Sequence, residues 1–334
     1  MCLLNRRWVM LCVAMMVCLA WAGPLRAQIF QLGEMNTEQI RALDRQKTVV
    51  LLPGGILEEH GPYLPSYTDG FVNAFFTEEL ARAIVARSGW KVVIFPQIPL
   101  GNSGANEIGA KYVFPGSYTI RQATLRAVYM DLASQFGEQG FRWIFIVHDH
   151  GDPAHNRGLD EASDYFHDVY GGTMVHLIGL KPLMECCDIS KHMTPAQLAE
   201  DGFTVHAGAA ETSQILFLRP DLLSPNWKDA PSWTGKNYDD LFAMAARPNW
   251  PGYFGAPRYA TAALGAQEMR ELAQKINDVA LQILDGLDWR KIPRFADQMD
   301  PRDAQGDAAI LEHERLVERK QLDWMKAHGI SVTH

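Results

Sequence analysis

Four short apolar runs alternate with longer helical stretches, and this alternation constrains the fold more than any other feature of the chain. The runs are Lys47 to Pro53, Lys91 to Phe95, Arg142 to Val147 and Thr173 to Ile178. Each is strand-length and mostly apolar rather than alternating, as expected of a strand buried on both faces. Helical stretches follow from Phe71 to Arg87, from about Ile120 to Gln139 and over 156–169. Strand, helix and strand in series predict right-handed crossover units. The expected fold is therefore α/β, a mostly parallel sheet with helices on both faces. Asn36-Thr37-Glu38-Gln39 reads as a capped helix start, and a long helix is expected from about Thr261 to Leu284.

No linker interrupts residues 28–285, so they read as one domain. Residues 225–257 are rich in Trp, Pro and Gly (Trp227, Trp233, Trp250) and read as a long structured loop whose aromatics pack by default. The highly charged segment 286–334 reads as an extension ending in a helix at about 303–327, packed on the surface or on a neighbouring subunit.

The first 27 residues read as an address. Arg6 and Arg7 precede an apolar run from Trp8 to Gly23, and small residues follow near Ala22 and Ala27. This is the pattern of a secretory signal peptide, the run being short for a membrane span. Asn5-Arg6-Arg7-Trp8-Val9-Met10 also has some likeness to a twin-arginine export signal. Residues 1–27 hold three arginines and no acid, so their removal takes the formal net charge from −8 to −11. The expectation is a periplasmic or secreted acidic protein that leaves the membrane once the signal is cleaved. It lacks the basic footprint that nucleic-acid binding requires. Cys2, Cys12 and Cys18 leave with the signal. Neighbouring Cys186 and Cys187 are expected to stay unpaired, because a disulfide between adjacent residues strains the linking peptide.

In such a sheet the functional loops lie beyond the carboxyl ends of the strands. Two of them carry unusual polar density. The first runs Glu58-Glu59-His60-Gly61-Pro62-Tyr63-Leu64-Pro65, with Asp69 where the next helix begins; the second runs His148-Asp149-His150-Gly151-Asp152-Pro153-Ala154-His155. Glu58 and His60 are two apart, so in extended backbone they face one way. Carboxylates with imidazoles suit Zn²⁺ or Mn²⁺, and a shared aspartate can bridge two ions. Fe²⁺ is also compatible with these donors. Such a centre ionises water near neutral pH and polarises a carbonyl.

The first of these loops, with Asp69, resembles the E-x-H-G-P-H-L-P…D signature of the creatininase (creatinine amidohydrolase) family. Phe114-Pro115-Gly116-Ser117 is similar to the family's F-P-G-T, Gly140-Phe141-Arg142 with His150-Gly151 to its G-F-R…N-G-H-G-G-N, and His206-Ala207-Gly208-Ala209-Ala210-Glu211-Thr212-Ser213 to its H-A-G-x-x-E-T-S. The resemblance spans roughly residues 35–285 and implies a creatininase-like three-layer α/β/α fold. It implies two divalent ions on Glu58, His60, Asp69 (bridging) and His150, with a further carboxylate from Asp152 or Glu211. His206 would shuttle protons near the substrate, and Glu211 would otherwise orient His206 or the attacking water. The implied reaction is hydrolysis of a C–N bond in a small amide, by a homo-oligomer such as a hexamer.

The departures fall around the substrate and in the loop that carries His150, where His148-Asp149-His150 replaces the family's N-G-H and Asp152-Pro153-Ala154-His155 interrupts its G-N before Asn156. Tyr63 and Ile108 stand where the family often has histidines. Gly202 and Phe203 stand where creatinine-hydrolysing members carry a Trp and an Asp. Creatinine is therefore not the expected substrate. A lactone or other ester, or a short peptide, would suit the same centre, and a non-catalytic binding protein is a further reading. His148 and His155 read as hydrogen-bonded structural histidines.

Overall fold

The computed structural model describes residues 28–297 and 301–331. The expected export signal lies outside the described residues. In chain order the regular elements are β1 (Ile29–Gln31), α1 (Thr37–Arg41), β2 (Thr48–Pro53), α2 (Thr68–Val85), β3 (Lys91–Ile94), α3 (Gln122–Glu138), β4 (Trp143–Val147), α4 (Pro153–Tyr170), β5 (Thr173–His176), α5 (Lys181–Met184), α6 (Pro195–Asp201), α7 (Ala209–Leu218), α8 (Tyr238–Ala245), α9 (Ala262–Leu284) and α10 (Pro301–Ala327), with short 3₁₀ turns between.

The five strands form one sheet in the order β1-β3-β2-β4-β5, every pair parallel. Successive residues of β2 point to opposite faces. Val49 and Leu51 pack with Val72, Phe76 and Leu80 of α2 and Met269 and Ile276 of α9. Val50 and Leu52 pack with Leu125 and Tyr129 of α3 and Leu159 and Phe166 of α4. Both faces of the sheet are covered, giving the expected three layers. From β2 the chain crosses to β3 on one side, then returns to β4 on the other. The carboxyl ends of β2 and β4 therefore flank a switch point, the usual place for a ligand site in an open α/β sheet.

Several expectations need correction. Strand β1 was not anticipated; three residues on a sheet edge carry too little apolar pattern to read. The 225–257 stretch contains a true helix, α8, started by the Asn237 side chain accepting the Asp240 N–H. The aromatics there do pack, with Trp250 lying against Phe114 and Phe254. The structure also joins Cys186 to Cys187, with Cα atoms 3.7 Å apart. Cys187 takes a left-handed backbone, φ +66°.

The charged extension does form a helix, and it lies over the domain. Arg121 pairs with Glu318 at 2.5 Å, Arg157 with Asp307 at 3.4 Å, and the rings of Tyr112 and His313 are 3.9 Å apart. No helix among the described residues is long and apolar enough to cross a membrane.

Candidate metal centre

The loop that leaves β2 is pressed against its neighbours before it reaches the site. A side chain on Gly54 would collide with the His148 ring at 2.0 Å, and one on Gly55 would meet the Gly70 backbone at 2.7 Å. Only glycine permits this approach, which brings Glu58 and His60 over the first turn of α2. Asp69 lies in that turn. His150 arrives from the loop after β4. Glu211 arrives from the first turn of α7, and His206 from the segment just before it.

These side chains converge. His60 Nε2 stands 3.1 Å from Asp69 Oδ1 and 3.8 Å from Glu211 Oε1. His150 Nδ1 stands 3.3 Å from Glu58 Oε2 and 3.3 Å from Asp69 Oδ2. His206 Nδ1 lies 3.6 Å from Glu58 Oε1. All but Glu211 are buried. The donor atoms form two triads at ligand spacing, Glu58–Asp69–His150 and His60–Asp69–Glu211, which share Asp69. A third grouping joins Glu58, His60 and His206.

The orientation of the imidazoles tests whether a cation fits. His60 Nδ1 lies 3.1 Å from the Glu58 carbonyl, His150 Nε2 2.6 Å from the Ser103 carbonyl, and His206 Nε2 2.6 Å from the Glu59 carbonyl. A carbonyl can only accept, so each of these nitrogens carries the proton and donates it. In the neutral ring the other nitrogen then aims a lone pair at carboxylate oxygens. That arrangement is repulsive unless a positive charge lies between them. His60 Nε2 and Asp69 Oδ2 are buried without a hydrogen-bond partner. Fixing the remote N–H on a backbone carbonyl is also how proteins orient histidines toward metals.

The electrostatics agree. Burial opposes charge on His60 and His150. Even so, Asp69 and Glu211 around the first, and Glu58 and Asp69 around the second, hold both imidazoles well above their usual pKa. Burial likewise pushes the Glu58 and Asp69 carboxyls up, and the surrounding histidines overcome it and hold both below the usual range. The cluster favours positive charge at the points where cations would sit.

Asp152 takes another place. Its carboxylate caps α4 by accepting the His155 N–H at 2.8 Å, and burial pushes its pKa up to about 7. Of the two acids left open by the sequence, it is Glu211 that joins a triad. A second oxygen of Glu211 accepts the backbone N–H of Ala207, which fixes the turn carrying His206. His148 and His155 are fully buried and structural. His148 Nε2 accepts the Gly55 N–H at 3.0 Å, and the two rings meet at 3.1 Å.

Beside the triads opens a cavity of about 440 Å³, within the range of small-ligand sites. Its apolar wall includes Val72, Met184, Leu272 and Phe295, and Ile108 also faces it. The Trp residues of the 225–257 stretch do not line it. Sequence reasoning missed two contributors. One is the Ser103 carbonyl, since a backbone group in the Gly/Asn-rich loop leaves no side-chain signature. The other is α10, which brings Gly306, Asp307 and Ile310 to the cavity.

Comparison with known proteins gives a consistent picture. The family model Creatininase, described as creatinine amidohydrolase, matches residues 33–280. Creatinine amidohydrolase of Pseudomonas putida is 26% identical over 257 residues, covering 74% of this chain and 94% of that protein. The mycofactocin precursor peptide peptidase of Mycolicibacterium smegmatis (strain ATCC 700084 / mc(2)155) is 25% identical over 187 residues. That match covers 56% of this chain, and the chain spans only 64% of the length of that relative. Among solved structures, a manganese creatininase superposes with a TM-score of 0.57 at 19% identity, over 77% of this chain and 98% of that one. A putative creatinine amidohydrolase from Bacteroides fragilis NCTC 9343 superposes with a TM-score of 0.55 at 21% identity, over 77% and 97%. At these identities the superpositions speak for the fold.

Proposed function

Because the chain belongs to the creatininase family of hydrolases, we propose that it is a binuclear metal-dependent amidohydrolase that cleaves a C–N bond in a small amide other than creatinine. The sharing of Asp69 between two ligand triads carries this reading. Glu58, Asp69 and His150 would hold one divalent ion; His60, Asp69 and Glu211 would hold the other. When bound, the pair supplies a water ionised near neutral pH and a polarised carbonyl. Zn²⁺ and Mn²⁺ suit the mixed donors, and relatives of both kinds are known among the solved creatininases.

The chain's own residues supply the rest. His206 donates Nε2–H to the Glu59 carbonyl, so its Nδ1 is the nitrogen that faces the reacting centre and can give a proton to the departing amine. Burial resists a charge on His206, but Glu58 and Glu59 raise its pKa to about 9, which favours the imidazolium needed in the second step. Glu211 steadies the Ala207 turn and thus the placing of His206. Val72, Leu272 and Phe295 exclude water from one side of the substrate.

A second reading, hydrolysis of a short peptide, is favoured by the likeness to the mycofactocin precursor peptide peptidase. The separating experiment offers the metal-loaded protein simple amides, lactones and short peptides in parallel. Turnover of amides alone supports the first reading; turnover of peptides alone replaces it with the second. We propose further that residues 1–27 direct export to the periplasm or beyond and that the protein acts as a homo-oligomer. N-terminal sequencing and sedimentation of the protein from its native host test these points.

A further inference from the structure

The C-terminal helix α10 lies beyond the family match, yet one of its side chains reaches the loop that orients a metal ligand. A single oxygen of Glu314, Oε1, accepts the backbone N–H of Gln122 at 2.9 Å and also the side-chain amide of Asn102. Asn102 gives the second hydrogen of that amide to the Ile120 carbonyl at 2.8 Å and its backbone N–H to His155 Nδ1 at 3.1 Å. Its neighbour Ser103 has a left-handed backbone, φ +57°. A non-glycine residue held there costs on the order of 1–3 kcal/mol and persists only where its surroundings over-determine it. The Ser103 carbonyl is the group that receives Nε2–H of His150. The path from α10 to the centre is thus Glu314, Asn102, Ser103, His150, and it consists of buried or half-buried contacts throughout.

We infer that Glu314 is a positioning residue for His150: by clamping Asn102 to the start of α3, it keeps the Ser103 carbonyl where it fixes the imidazole toward Glu58 and Asp69. The inference rests on the metal reading above. It makes the extension a working part of the centre. Glu318, one turn further along the same helix, supplies the contrast. It pairs with Arg121 at 2.5 Å and helps to dock α10, but it does not touch Asn102. If α10 mattered only as packing, the two glutamates would behave alike.

The test is titration of the metal-free full chain with Co²⁺, followed by calorimetry and by the visible absorption of the bound ion. Wild type should take up two ions. Glu314→Ala should weaken one of the two by about 10- to 100-fold, the usual effect of losing a group that orients a ligand, and should change the absorption band. Glu314→Gln keeps an acceptor oxygen and should restore both affinity and band. Glu318→Ala should leave both as in wild type. Should Glu314→Ala fail to fold, Glu314→Asp, which withdraws the oxygen by one methylene, should show the same weakening. Wild-type affinity and spectrum in Glu314→Ala, or in Glu314→Asp where the alanine variant does not fold, would overturn the inference while leaving the metal centre intact. Equal effects of Glu314→Ala and Glu318→Ala would also overturn it. A wild-type protein that binds no Co²⁺ would remove the metal reading itself, and this inference with it.

Discussion

His150 Nδ1 and Asp69 Oδ2 stand 3.3 Å apart, although one residue follows β4 and the other opens α2. The other oxygen of Asp69 faces His60 at 3.1 Å. One carboxylate therefore joins two imidazoles delivered by separate crossover loops, and most of what the site is expected to do depends on it.

Asp69→Asn keeps the shape of the side chain and removes half of its ligand capacity. Metal content should drop from about two ions per chain to one or none, and amide hydrolysis should fall below detection. The far-ultraviolet circular dichroism should be unchanged. Two ions retained in this variant would show that Asp69 does not bridge.

His206→Gln should separate proton transfer from metal binding. Loss of a positioned general acid–base costs about 10²- to 10⁴-fold in kcat. Both ions should remain, and KM should change little, because the ring contacts the triads only through Glu58 and His60. A fall in metal content that matched the fall in kcat would make His206 a ligand instead.

Gly55→Ala should destabilise the fold. Its new methyl carbon would sit 2.7 Å from the Gly70 backbone, which cannot yield as a side chain can. Overpacking of this kind costs about 1–3 kcal/mol, readable as a lower urea midpoint. The same strain should push the Glu58–His60 loop off α2, so metal affinity should fall with it.

Asp160 gives a pH dependence away from the centre. Burial, assisted by Asp297 and Asp164 and opposed by Arg294, pushes its carboxyl up to about 8. A carboxyl whose folded pKa is raised favours folding in its protonated form. That contribution is complete below the ordinary carboxylate range, near pH 4, and is lost as pH rises through about 8. Asp160→Asn stays neutral throughout. Its melting temperature, relative to wild type, should climb between pH 5 and pH 9 by an amount worth on the order of a few kcal/mol. A pH-independent difference would contradict the assignment.

Much of this site was legible because its chemistry sits on side chains placed by simple periodicities. Glu58 and His60 are two apart in extended chain, Asp69 falls at a helix start, and His150 follows a run apolar enough to be read as a buried strand. What could not be read depends on tertiary structure. The Ser103 carbonyl has no side-chain signal. Which of Glu211 and Asp152 lies among the grouped donor atoms was not legible either, since both stand at helix starts; only the structure shows Asp152 capping α4 and Glu211 beside His60 and Asp69. The docking of α10 depends on pairings such as Arg121 with Glu318, which surface charge patterns do not specify. Nor did the sequence signal the closure of Cys186 on Cys187.

The most direct test is the metal content of the purified protein, measured by mass spectrometry of the bound ions alongside amide hydrolysis before and after chelation. The account predicts about two divalent ions per chain, loss of hydrolysis when a chelator removes them, and recovery on adding Zn²⁺ or Mn²⁺. Hydrolysis that persists in metal-free protein and ignores the chelator would contradict it.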